Sequence, residues 1–135
     1  SGWAAIENHL VETGAGYSFA QHTIDTGSHA GSVSAVARGE ADIAAIDAVT
    51  WTLLRRHHDE ARVCRVLGFT RPTPGLPFIT ARATDAAPVF DAIAQAIAGL
   101  TTRDRARLLL KGVVRIPSSA YLAEPIPPGP PSPTN

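Results

Sequence analysis

Two short polar segments carry the side chains best suited to chemistry, Thr26-Gly27-Ser28-His29 and Asp47-Ala48-Val49-Thr50-Trp51. Each joins a helix-capping residue type to hydrogen-bond donors. Ser28 brings a hydroxyl, His29 an imidazole, Thr50 a second hydroxyl, and Gly27 a backbone that a ligand can approach closely. Helix N-termini present unpaired N–H groups and the positive end of the helix dipole, so segments of this kind suit a phosphate, phosphonate or carboxylate. The chemistry they point to is recognition of a small anion. Asp47 fits as an N-cap. In a ligand role it would meet a hydroxyl or an amine, or orient a neighbouring donor, because a carboxylate facing an anion repels it. Trp51 suits a cleft wall and a core equally, and His29 suits a solvent-facing first turn as well as a ligand contact.

The surrounding pattern supplies elements to hold these segments. Val33, Val36 and Ala37 follow Ser28 at helical spacing, and Gly39 is of the type that ends a helix. Asp42 to Asp47 is short and apolar in its middle, which predicts a parallel strand buried on both faces. Asp47 and Thr50 then open a helix with Val49, Leu53 and Leu54 inward. Upstream, Ser1 caps a helix whose apolar face is Trp3, Ile6, Leu10 and Val11, stopped by Gly14 to Gly16, and Tyr17 to Asp25 reads as a strand. Downstream, Arg55 to Glu60 is a polar helix end and loop, Val63 to Phe69 a strand, Arg71 to Gly75 a break, and Leu76 to Thr80 a short apolar strand. Asp85 caps a helix showing Val89, Ile93, Ile97 and Leu100, and Thr102 starts a shorter one through Leu110 with Gly112 as its stop. This alternation predicts an α/β fold, in which ligands bind beyond the carboxyl ends of the strands.

These residues carry a resemblance. Gly27-Ser28-His29, the run Ala35-Val36-Ala37-Arg38-Gly39-Glu40-Ala41-Asp42, and Ala44-Ala45-Ile46-Asp47-Ala48-Val49-Thr50-Trp51 resemble the second lobe of phosphate/phosphonate-type substrate-binding proteins of ABC importers. Arg65-Val66-Leu67-Gly68 and Pro74-Gly75-Leu76-Pro77-Phe78 resemble that family's strand and its return toward the first lobe, so the similarity runs to about Ala98. The resemblance implies one lobe of a type 2 periplasmic-binding fold, a three-layer, mostly parallel sheet flanked by helices. It assigns His29 a hydrogen bond to a phosphoryl oxygen. It also matches Ser1-Gly2 to the end of a Ser-rich turn whose hydroxyl and N–H groups meet the anion. The expected ligand-binding set is therefore Ser1, Gly2, Ser28, His29, Asp47, Thr50 and Trp51, with no cofactor and no metal. ABC permease subunits are the implied partners, the membrane is met only indirectly, and the implied location is periplasmic or extracytoplasmic.

Family members are two-lobed and about twice this length. The absence of methionine and of an apolar leader leads us to expect a processed or excised piece, with the first lobe and signal upstream of Ser1. Within it we expect a ligand-binding α/β lobe over 1–75, a return strand and C-terminal helices over 76–123, and a disordered proline-rich tail over 124–135. If the first lobe is missing, the return segment exposes apolar surface, and a homodimer or local refolding is the expected response.

Composition sets further bounds. With 12 basic and 12 acidic residues the formal net charge is zero, which gives no global pull toward nucleic acid or an anionic membrane. No stretch approaches the roughly 20 apolar residues that span a bilayer. The single cysteine excludes an internal disulfide and a multi-cysteine zinc site. His57-His58-Asp59 reads as an exposed helix end in preference to a metal site, and Cys64 as a small buried thiol in preference to a nucleophile. Arg103, Arg105, Arg107 and Lys111 read as a solvated face, and the proline-rich tail as a plain terminus in preference to a docking peptide.

Three functional classes follow. Solute capture for an importer of phosphonate, phosphate or a related anion is the leading one, with hinge closure giving selectivity. A ligand-sensing effector domain of a LysR-like transcription regulator is the alternative, sharing the architecture and needing a DNA-binding portion elsewhere. An enzyme on the same scaffold comes last, since no nucleophile, base and oxyanion hole stand together in the sequence.

Overall fold

The computed structural model describes residues 2–14, 22–81 and 83–126. Among them the regular elements are helices: α1 (Gly2–Glu12), α2 (His29–Ala37), α3 (Ala48–His57), α4 (Glu60–Val63), α5 (Ala86–Ala98), α6 (Thr102–Leu108) and α7 (Ser118–Leu122). Contacts divide the chain into two units, one running to Pro72 and rejoined by Pro125, the other Thr73–Glu124. The expected tail beyond Ile126, the cap at Ser1 and most of the strand expected over 17–25 lie outside the described residues.

The first unit is organised by its helix starts and one small core. Ser28 caps α2, its Oγ accepting the Gly31 N–H at 3.0 Å, and Asp47 caps α3, its Oδ2 accepting the Thr50 N–H at 2.7 Å. Behind these caps, Val33 from α2, Leu54 from α3 and Ala61 from α4 are buried together, with Ala30, Ile46, Trp51 and Cys64 packed against them. The inward face of α3 is thus Trp51 and Leu54, while Val49 points to solvent. The four-residue α4 occupies what reads in the sequence as a loop and the start of a strand. A polar network joins it to α2: the Ser34 hydroxyl bonds to Glu60 Oε2, and Arg38 lies 3.5 Å from Glu60 Oε1 while forking Glu40 at 2.8 and 3.1 Å. On α1, Trp3, Ile6 and Leu10 are half-buried and Val11 is exposed, and the one fully buried side chain is Glu7.

The expected three-layer, mostly parallel sheet is overturned. Among the described residues no strand forms, and residues 42–47, 64–69 and 76–80 are irregular. A strand buried on both faces needs a hydrogen-bonded neighbour on each side, a requirement met by distant segments that an apolar run does not itself supply. Here these runs lack such neighbours, and Leu67, Phe69, Leu76, Phe78 and Ile79 stand exposed.

The second unit is held by local contacts. Asp85 Oδ1 accepts the Ala87 N–H at 3.0 Å to start α5, whose Phe90, Ile93 and Ile97 are half-buried. Arg105 closes the other end, donating to Ala98 O at 2.8 Å and Leu100 O at 3.4 Å, and so satisfies carbonyls that a helix terminus leaves unpaired. Thr101 caps α6, accepting the Asp104 N–H at 3.1 Å and pairing its hydroxyl with Asp104 Oδ2 at 2.7 Å. The helix stops at Leu109, in the left-handed region at φ 58°, three residues before the glycine expected to end it. The Arg115 guanidinium lies 4.0 Å over the Phe90 ring, bringing the segment after α6 back to α5.

Candidate functional site

The turn that begins α2 is built almost wholly from its own hydrogen bonds. Gly27 adopts φ +68°, and its N–H donates to Asp25 Oδ1 at 3.0 Å. Thr26 Oγ1 reaches Ser28 O at 3.1 Å and shares a 2.6 Å hydrogen bond with Ser32 Oγ. The fold of this turn against the helix demands Gly31, since a Cβ there would stand 2.6 Å from Thr26 O. With the Gly27 N–H taken by a carboxylate and the Gly31 N–H by Ser28, the donors for a ligand are narrowed. They are the Ser28 hydroxyl proton, the His29 ring, and the His29 and Ala30 N–H groups that a helix start leaves outside its ladder.

The start of α3 is a different kind of terminus. The Thr50 N–H holds the Asp47 carboxyl below the usual aspartate range; burial opposes this, while the Thr50 side chain, the charge of His29 and the Val49 N–H assist it. A carboxylate already seated on these donors occupies the place an external anion would take. Asp47 therefore serves as cap and as a negative neighbour of His29.

Gly2 brings α1 to the same place. The position a Cβ would occupy on Gly2 lies 2.5 Å from Ala45 O and 3.5 Å from His29 Cε1, so the first turn of α1 rests on the Ala45 carbonyl and beside the His29 ring. Of the expected site residues, the structure thus gathers Gly2, His29 and Asp47, with Ser28 and Thr50 on the adjoining turns. Trp51 packs on the core cluster, with the Arg55 guanidinium 5.8 Å from its ring centre. Ser1 lies outside the described residues. Asp25 and Ala45 belong to the arrangement and escaped the sequence reading. Asp25 had a usable signal, because Asp followed two residues later by Gly is the pattern of a side chain that bonds back to a turn N–H. The Ala45 carbonyl had none.

The other polar clusters do not assemble. His57 and His58 are both exposed, and no group of three or more His, Cys, Asp or Glu among the described residues is placed to hold a metal ion. Cys64 is half-buried, with its sulfur 3.6 Å from Glu60 O and 3.9 Å from Val33 O. No helix among the described residues is long and apolar enough to cross a membrane.

The start of α2 thus sets its donors beside a histidine at the helix's first position. The family model for the ABC transporter, phosphonate, periplasmic substrate-binding protein matches residues 1–118 of the 135. The chain belongs to this family, whose members are substrate-binding transport proteins of the periplasm and not enzymes. No curated protein and no solved structure matches the chain.

Proposed function

We propose that this chain contributes a binding surface for a phosphonate, phosphate or related small anion, for delivery to an ABC permease. The observation that carries this reading is the seating of His29 at the first position of α2, between the α1 start at Gly2 and the Asp47 carboxylate. In the proposed complex, the Ser28 hydroxyl, the His29 imidazole and the first N–H groups of α2 donate to the phosphoryl oxygens, where charge-assisted bonds are the stronger kind. Asp47 offers an acceptor to an amine or hydroxyl on the ligand. Thr50 contributes chiefly through its N–H, which keeps that carboxylate in place. Selection comes from hydrogen bonding and shape, and no bond is made or broken.

Calorimetric titration with phosphate, phosphite, methylphosphonate and aminoethylphosphonate tests the reading. At least one should bind, and His29→Ala should weaken that ligand by about tenfold, the worth of one good hydrogen bond to a charged group. Heat from none of the four, or unchanged affinity after His29→Ala, removes the proposal.

A further inference from the structure

We infer that Gly2 is a positioning residue: its missing side chain lets α1 settle on the Ala45 carbonyl, and that seating fixes the His29 ring. The geometry is a tertiary contact between three segments distant in sequence. A Cβ on Gly2 would meet Ala45 O at 2.5 Å and Ala45 C at 3.4 Å, and the His29 Cε1 atom lies 3.5 Å away. The obstruction is backbone, so it cannot swing aside as a side-chain tip can. An alanine here displaces either the start of α1 or the segment carrying Ala45 by about half an ångström or more, since real Cβ contacts of this kind open to at least 3.0 Å. The segment carrying Ala45 leads directly into Asp47, and the His29 ring borders the same position at contact distance, so a displacement of either backbone changes what the ring packs against.

Backbone freedom is not the reason for this glycine. Among the described residues Gly14, Gly27 and Gly39 are the glycines with positive φ, and each has open space where a Cβ would go. Gly2 is helical and instead sits where the space is already filled, so close approach is what selects it. This separates the role from that of a ligand contact made by the Gly2 N–H. A contact would act on the anion directly, whereas a spacer acts only through His29.

The experiment has two arms, the second of which rests on the anion-binding reading. In the first, the imidazole resonances of all five histidines are followed in the unliganded protein. Gly2→Ala should shift the His29 ring signals, leaving His57 and His58 in place, while Gly99→Ala, whose Cβ would meet its nearest carbonyl oxygens at 3.5 and 3.6 Å, should leave His29 unmoved. An unshifted His29 in Gly2→Ala overturns the inference whether or not any phosphonate binds. In the second arm, Gly2→Ala should weaken the ligand found by calorimetry about five- to tenfold. The double variant Gly2→Ala/His29→Ala should bind no more weakly than His29→Ala alone. Additive losses would assign Gly2 a contact of its own and reject the positioning role. Failure of every anion to bind defeats the functional proposal and leaves the resonance arm to decide this one.

Discussion

The unit that runs to Pro72 and the unit Thr73–Glu124 are both built from short helices, several of them capped by side chains, but they differ in what those helices bury. Glu7, Val33, Ala35, Leu54 and Ala61 all lie in the first, and the second has no fully buried side chain among its described residues. Intrinsic apolarity does not explain the difference. The thirteen residues of α5 include Val89, Phe90, Ile93 and Ile97, a better apolar stripe than the nine of α2 present. What α2 has is company: α3 and α4 close over Val33 with Leu54 and Ala61. An amphipathic pattern prepares one face, and burial requires a second face to arrive from another element.

That contrast can be broken at its strongest point first. Leu54→Ala removes the largest member of the small core and should cost about 2–4 kcal/mol, whereas Leu76→Ala, at a position 90% exposed, should change stability by less than about 0.5 kcal/mol. Urea denaturation followed by tryptophan fluorescence reads this, as Trp51 packs on the cluster. Comparable losses at the two positions would show that the second unit also depends on a core.

Next in size is Glu7, 3% exposed with its Oε2 lacking a hydrogen-bond partner among the described residues. A buried, unpaired acceptor is destabilising, so Glu7→Met, of similar volume, should raise stability by about 1–2 kcal/mol. A loss instead would mean that the carboxylate has a task the fold alone does not explain. Smallest is the cap of α3. Asp47→Ala should cost about 1 kcal/mol at neutral pH. Because the folded protein holds this carboxyl below its ordinary value, the cap's contribution is complete above about pH 3.9 and is lost as pH falls through the lower folded value. Wild type and variant should therefore converge in acid. A gap that persists in strong acid would assign the effect to something other than the ionised cap.

Local features of this molecule could be read in its sequence because they are settled within a few residues. Ser28, Asp47, Asp85 and Thr101 each accept an N–H from the first turn of the helix they precede, and Gly39 ends α2 at φ +74°. Thr101 stands one residue ahead of the start expected at Thr102. The strands expected over 42–47, 63–69 and 76–80 do not form because pairing is decided by segments far away in the chain, and α4 takes up the polar loop before the second run together with its first residue, Val63. The candidate site divides the same way. Ser28 and Asp47 announce their caps, while the meeting of Gly2, Ala45 and His29 is a long-range event with no local signature. Trp51 shows the limit of residue type, since an indole serves a core as well as a cleft.

The carboxylate of Asp25 on the Gly27 N–H gives the α2 turn a surrogate anion from its own chain. A loop shaped by such an internal stand-in meets its ordering entropy during folding, which leaves less to be paid when a ligand arrives. The same charge sets a polarity on the turn. Its Gly27 N–H is already occupied by a carboxylate, so a single aspartate makes the turn directional.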